Sequence, residues 1–134
     1  MADSRNLIAC LNSRAPATSA AIASFESASG KQLPRDYVEF LMTTDGAEGF
    51  VSNAYVILWT VDELASLNEG YEVEENAPGL LIFGSDGGGE AYGFDTRQTD
   101  WTIVQVPFVG MSWALAQPLA KSFRGFLEYL HTIQ

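Results

Sequence analysis

The sequence predicts an α+β fold in one domain, with a mainly antiparallel sheet of about four to six strands flanked by helices. Three observations carry this. Apolar residues recur at helical spacing near both ends of the chain: Ile22 and Phe25, then Tyr37, Phe40, Leu41 and Thr44, then Phe123, Phe126, Leu127 and Leu130. The middle holds short runs rich in β-forming residues, and strands linked by tight turns pair antiparallel. A glycine-dense stretch, Gly84-Ser85-Asp86-Gly87-Gly88-Gly89-Glu90, joins two of these runs. Helices grouped at the chain ends favour layers over alternating βαβ units. At 134 residues the chain suits one domain and is long enough to bury a core without disulfides or metals.

The elements follow in order. Leu7, Ile8 and Leu11 fit a short helix over 4–13, broken at Ala15-Pro16-Ala17. A helix over 19–29 ends at Gly30, placed as its left-handed cap. Leu33-Pro34 opens the next helix, since proline is tolerated in a first turn, and Gly46 stops it. Tyr55 to Trp59 reads as a strand. Thr60-Val61-Asp62-Glu63 has the spacing of a capping box and starts a short helix over 61–68. Residues 69–79 are acidic and turn-prone. Leu80 to Phe83, Ala91 to Thr96 and Thr102 to Pro107 read as successive strands, with Gln98-Thr99-Asp100 as a hairpin turn. Residues 108–115 are ambiguous, with room for another short strand. Residues 121–132 read as a last helix, with Ser122 as its N-cap.

Composition bounds the function. The chain is 47% hydrophobic and 18% charged, as in ordinary globular proteins. Cys10 is its one cysteine, so no intrachain disulfide forms and a reducing compartment is favoured. The first residues lack the basic and apolar regions of a secretory signal, and no apolar run approaches the roughly 20 residues that span a bilayer. A cytoplasmic protein is expected, with no membrane association. The formal charge is −10, and no Lys or Arg occurs from Asp36 to Thr96, where most of the 17 Asp and Glu lie. Such a segment sets up a negative field, which argues against direct nucleic-acid binding and leaves solubility or a basic protein partner.

Catalytic and metal chemistry find little support in these residues. Cys10 and His131 lie near opposite ends of the chain, and nothing signals a nucleophile–base pair. One His and one Cys are too few soft ligands for zinc. Asp86, Glu90 and Asp95 surround the glycines with oxygen ligands, but without the alternating pattern of a calcium loop. The glycine stretch lacks the lysine of a phosphate-binding loop and is followed by a strand, where a phosphate site needs a helix N-terminus. Asp86 and Glu90 would repel phosphate. A strained hairpin or bulge between two strands remains as the bland reading. Trp59, Trp101, Trp113, Tyr55, Tyr71, Tyr92 and Phe108 fit either core packing or interface anchoring.

These pieces together resemble the SUKH superfamily, the Smi/Knr-like proteins. The resemblance is carried by Ile22-x-x-Phe25-Glu26, by Gly30-x-x-Leu33-Pro34-x-Asp36-Tyr37-x-x-Phe40-Leu41 and by Asp45-Gly46. It continues through Leu58-Trp59-x-Val61-Asp62-Glu63-Leu64, Asn68-Glu69-x-Tyr71, the glycine stretch from Phe83 to Glu90, Tyr92-Gly93-x-Asp95 and Ser122-Phe123-x-x-Phe126-Leu127. It implies a mainly antiparallel sheet flanked by helices and brings no catalytic residues or cofactor. Bacterial members resemble immunity proteins that bind and neutralise a cognate toxin, often a nuclease or deaminase. Fungal members look like regulators of cell-wall glucan synthesis, and the short chain sits better with the bacterial type.

The expected role is therefore a non-enzymatic immunity protein whose acidic surface meets a basic toxin. Glu69, Glu72, Glu74, Glu75, Asp86 and Glu90 are the candidate contact residues, with Trp59 and Tyr71 as candidate anchors. The alternative is a small-molecule or cation-binding domain built on the glycine turn.

Overall fold

The structure is a computed structural model and describes residues 7–133. Among them, seven strands form one sheet in strict sequence order, every neighbouring pair antiparallel. This is the expected fold class, with a strand count just above the expected four to six. The strands are β1 (Asn12–Ser13), β2 (Ala47–Val51), β3 (Ala54–Leu58), β4 (Leu80–Ser85), β5 (Glu90–Asp95), β6 (Ile103–Pro107) and β7 (Gln117–Ala120). The helices are α1 (Ser19–Ser29), α2 (Arg35–Thr43), α3 (Val61–Gly70), α4 (Val73–Asn76) and α5 (Phe123–Leu130).

Local chemistry explains the helix ends. The Thr18 hydroxyl accepts from the Ala21 N–H to start α1, and Gly30 closes it at φ 71°. Both halves of the Thr60–Glu63 capping box form, with Glu63 Oε1 accepting from the Thr60 N–H at 3.0 Å and Thr60 Oγ1 from the Glu63 N–H at 3.3 Å. Ser122 Oγ accepts from the Gly125 N–H at 2.9 Å and starts α5.

Three expectations change. The short helix over 4–13 falls partly outside the described residues, and Asn12 and Ser13 pair with Glu48 and Ala47 as a strand instead. Residues 69–79 contain the one-turn helix α4 as well as turns. The ambiguous 108–115 segment holds a 3-10 turn at Trp113–Leu115, and the strand comes after it, at β7.

Strand alternation sorts the side chains onto two faces. One face carries Phe83, Tyr92 and Phe94 against α2 and α5, where aromatic rings dominate. Phe83 meets Phe94 at 4.6 Å between centroids and Phe126 at 5.3 Å, while Tyr37 meets Phe123 at 5.0 Å. Tyr37, Phe83, Phe94, Phe123 and Phe126 are all essentially buried. Edge-on and tilted rings at these spacings suit the aromatic quadrupole. The opposite face carries Ala91, Gly93, Val104 and Val106. The 108–116 segment crosses over it: Trp113 Nε1 donates to the Pro78 carbonyl at 2.8 Å, and the Arg97 guanidinium lies 3.6 Å above the Trp113 ring.

Helix α3 closes a gap in the sheet. β3 pairs with β4 at Ile57–Ser85 and Leu58–Gly84, and the Trp59 N–H donates to the Phe83 carbonyl at 3.1 Å, so the β4 edge before Phe83 needs another partner. Asn68 supplies it. Its Oδ1 accepts from the Ile82 N–H at 2.9 Å, and its Nδ2 donates to the Ile82 carbonyl at 2.9 Å. One side-chain amide thus stands in for a neighbouring strand.

Candidate functional site

The acidic segment begins on α3. Glu69 lies in its last turn, the chain reverses at Glu72 (φ 55°), and α4 then presents Glu74 and Glu75. Glu69, Glu74 and Glu75 line one groove of about 260 Å³ together with Lys31, Asn68, Val73, Leu80 and Leu81. The groove therefore combines a leucine–valine wall with three carboxylates. Glu74 Oε2 also accepts from the Gly79 N–H at 3.2 Å, which ties the rim to the turn before β4. Lys31 Nζ donates to Thr96 Oγ1 at 3.3 Å.

Asp86 and Glu90 are not at this groove. They sit at the other end of β4, five residue steps or roughly 17 Å along the strand. Asp86 Oδ1 accepts from the Gly88 N–H at 2.7 Å and the Glu90 N–H at 3.1 Å, so this carboxylate organises its own turn. Gly87 and Gly89 take φ 78° and 121°, which only glycine adopts at little cost. Glu90 Oε1 accepts from Gln105 Nε2 at 3.2 Å. The nearby Tyr92 hydroxyl is pushed up to about 12, first by burial and then by the charges of Asp86, Tyr129 and Glu90.

The two candidate anchors differ in exposure. Tyr71 is 44% exposed and lies on Phe108 at 4.5 Å between centroids. The Phe108 N–H donates to the Gly89 carbonyl at 2.9 Å, so Tyr71 connects the acidic segment to the glycine turn. Trp59 keeps only 9% exposure and packs into the core, so little of its ring is presented to a partner.

His131 Nε2 lies 2.8 Å from the Leu7 carbonyl, and Cys10 is exposed. No group of three His, Cys, Asp or Glu among the described residues is arranged to hold a metal ion. A cavity of about 510 Å³ borders Asp95, Arg97, Asp100 and Trp113. In it, Arg97 donates from Nε to Asp95 Oδ1 at 2.9 Å and from Nη2 to Asp95 Oδ2 at 3.0 Å. The hydrogen bond from Arg97 holds the Asp95 carboxyl below the usual carboxylate range, against a smaller opposing effect of burial. No helix among the described residues is long and apolar enough to cross a membrane.

Sequence reasoning did not single out Lys31 as part of the groove, nor Asn68 as the partner of β4. Both pairings join residues far apart in the chain, and no local pattern announces them. A comparison with curated proteins returns no match. The model of the SMI1 / KNR4 family (SUKH-1) matches residues 16–129, which takes in α1 to α4, all but the last residue of α5, the groove and the glycine turn, and the chain belongs to that family.

Proposed function

We propose that this chain is an immunity protein that binds and neutralises a cognate bacterial toxin of the nuclease or deaminase type. Family membership supports a protein partner. The observation that carries the reading further is the groove between α3, α4 and β4. A lysine or arginine side chain is an apolar stem with a charged tip. Val73, Leu80 and Leu81 suit the stem, and Glu69, Glu74 and Glu75 suit the tip. A nuclease must present such basic groups to its phosphate substrate, so occupying them blocks the substrate. The acidic field also speeds encounter with a basic protein, most strongly at low salt.

The test uses any nuclease- or deaminase-type toxin domain found encoded next to this gene. Cells expressing it should die, and co-expression of this chain should protect them. Death in the presence of well-folded chain would sink the proposal. With a protecting pair in hand, the triple variant Glu69→Gln, Glu74→Gln, Glu75→Gln should slow association roughly tenfold at low salt and flatten its salt dependence. An unchanged association rate would remove the groove from the interface.

A further inference from the structure

The fold explains two of the three glycines at the β4–β5 turn and leaves the third unexplained. Gly87 and Gly89 have positive φ, and a Cβ on Gly87 would lie 3.0 Å from Tyr55 Cδ2. Gly88 has no such φ. The nearest atoms to a Cβ there are those of the Asp86 carboxylate, at 3.6 Å or more, which is ordinary contact. Gly70, just before Tyr71, is similar: its φ is not positive and a Cβ would meet nothing within 4 Å. Glycine costs chain entropy wherever the fold does not need it. Bareness at Gly88 is therefore a property of the surface.

That bare turn lies between two aromatic pairs on the same face of the sheet. On the β2–β3 side, Phe50 is 60% exposed and packs edge-on to Tyr55 at 5.0 Å. On the β6 side, Tyr71 lies on Phe108, and Val109 next to it is 91% exposed. β3 and β6 are three strand spacings apart, so the pairs stand roughly 14 Å from each other. Exposed aromatics around a flat backbone patch are what a protein interface uses as anchors.

Charge selects the partner. Register places Leu80, Asp95, Ile103 and Ala120 at one end of the sheet, and Lys31, Arg97 and Lys121 lie beside them. Arg35 and Arg124 begin helices joined at that end by Asp36, which accepts from the Arg124 N–H at 2.9 Å. The glycine-turn end carries Asp86 and Glu90, with Glu90 on the Tyr92 face by register, and Glu48 is on the face of Phe50 and Tyr55. Glu48, which accepts the Tyr55 hydroxyl, lies 3.8 Å from Arg14. Guanidinium groups stack on aromatic faces and pair with carboxylates, which ammonium groups do less well. The Arg97–Trp113–Asp95 cluster is an example inside this chain.

We infer that the glycine-turn end of the sheet, with Gly88 between Phe50–Tyr55 and Tyr71–Phe108, is the docking surface for an arginine-bearing face of the partner protein. This rests on the protein-binding reading above and adds a second contact region, across from the Glu69–Glu74–Glu75 groove. The probes are an eight-arginine and an eight-lysine peptide, titrated into the isotope-labelled chain at about 150 mM salt. Amide shifts should appear at residues 50, 71, 87–89 and 108–109, with several-fold tighter binding of the arginine peptide. Gly88→Trp should leave the melting temperature within about 2 °C of the parent and weaken the arginine peptide at least tenfold, and Tyr71→Ser should weaken it similarly. Shifts confined to the groove, equal binding of the two peptides, or an unaffected Gly88→Trp variant would each overturn the inference. Toxin co-expression separates the two levels. Protection by the parent but not by Gly88→Trp supports this surface. Equal protection by both overturns it and leaves toxin binding standing, whereas no protection by the parent removes both.

Discussion

Replacing Asn68 by alanine tests whether one side chain closes the open edge of β4. Ile82 is fully buried, and both of its backbone polar groups bond to the Asn68 amide at 2.9 Å. Alanine leaves both without a protein partner. A buried polar group left unpaired costs about 1–3 kcal/mol, so the pair costs roughly 2–6 kcal/mol. Alanine's better helix propensity in α3 returns about 0.5 kcal/mol. Asn68 is half-buried, so water reaching the gap keeps the net loss in the lower range, about 2–4 kcal/mol. Domains have only about 5–15 kcal/mol of stability in total. Urea unfolding should show a lower midpoint with an unchanged slope, and the melting temperature should fall by about 10 °C. Hydrogen exchange at the Ile82 amide should accelerate more than at β5 or β6. Asn68→Asp should be at least as damaging at pH 7, because its carboxylate would face the Ile82 and Leu64 carbonyls that Nδ2 now serves. A loss below about 0.5 kcal/mol for Asn68→Ala would refute the idea that the amide replaces a strand.

Gly84→Ala should destabilise by about 1–3 kcal/mol, since its Cβ would sit 2.5 Å from the Ile57 carbonyl oxygen, a backbone atom that cannot swing aside. Calorimetry finding parent-like stability would show that β3 and β4 can separate freely. Asp95→Asn should be less stable than the parent at neutral pH. Because the folded Asp95 carboxyl titrates below its unfolded value of about 3.9, its contribution is complete above that pH and is lost as the pH falls through the folded value. The gap between parent and variant in urea midpoint should therefore close below about pH 4, and a constant gap down to pH 2 would contradict the Arg97 pairing.

Where a segment's structure follows from its nearest neighbours in sequence, the sequence is readable. The Thr60–Glu63 box, the Gly30 cap and the Tyr37–Phe40–Leu41 stripe are all short-range patterns, and all are present. The strands that escape notice lack such patterns. β2 carries Gly49 at φ 148° and a glutamate, which spoil the alternation, and its pairing with β3 decides it. β7 contains Pro118 and has no buried residue, as an edge strand allows. The binding residues show the same division. Glu69, Glu74 and Glu75 meet because they are close in sequence on α3 and α4. Asp86 and Glu90 share their charge but are carried off along β4. The three tryptophans look alike in composition, and only the fold separates buried Trp59 from Trp113, whose ring holds Arg97.

The strict sequence order of the strands has a consequence for synthesis. Each strand pairs with the one made just before it, so the sheet can grow from its first edge as the chain leaves the ribosome, without waiting for a distant partner. The aromatic layer cannot be completed this way. Phe123 and Phe126 are made last, and they close over Tyr37, Phe83 and Tyr92. Until α5 arrives, the nascent domain holds a paired sheet whose aromatic face is covered only by α2. The last helix thus acts as the lid of the folding reaction, and the interval before its release is when a chaperone would find most to hold.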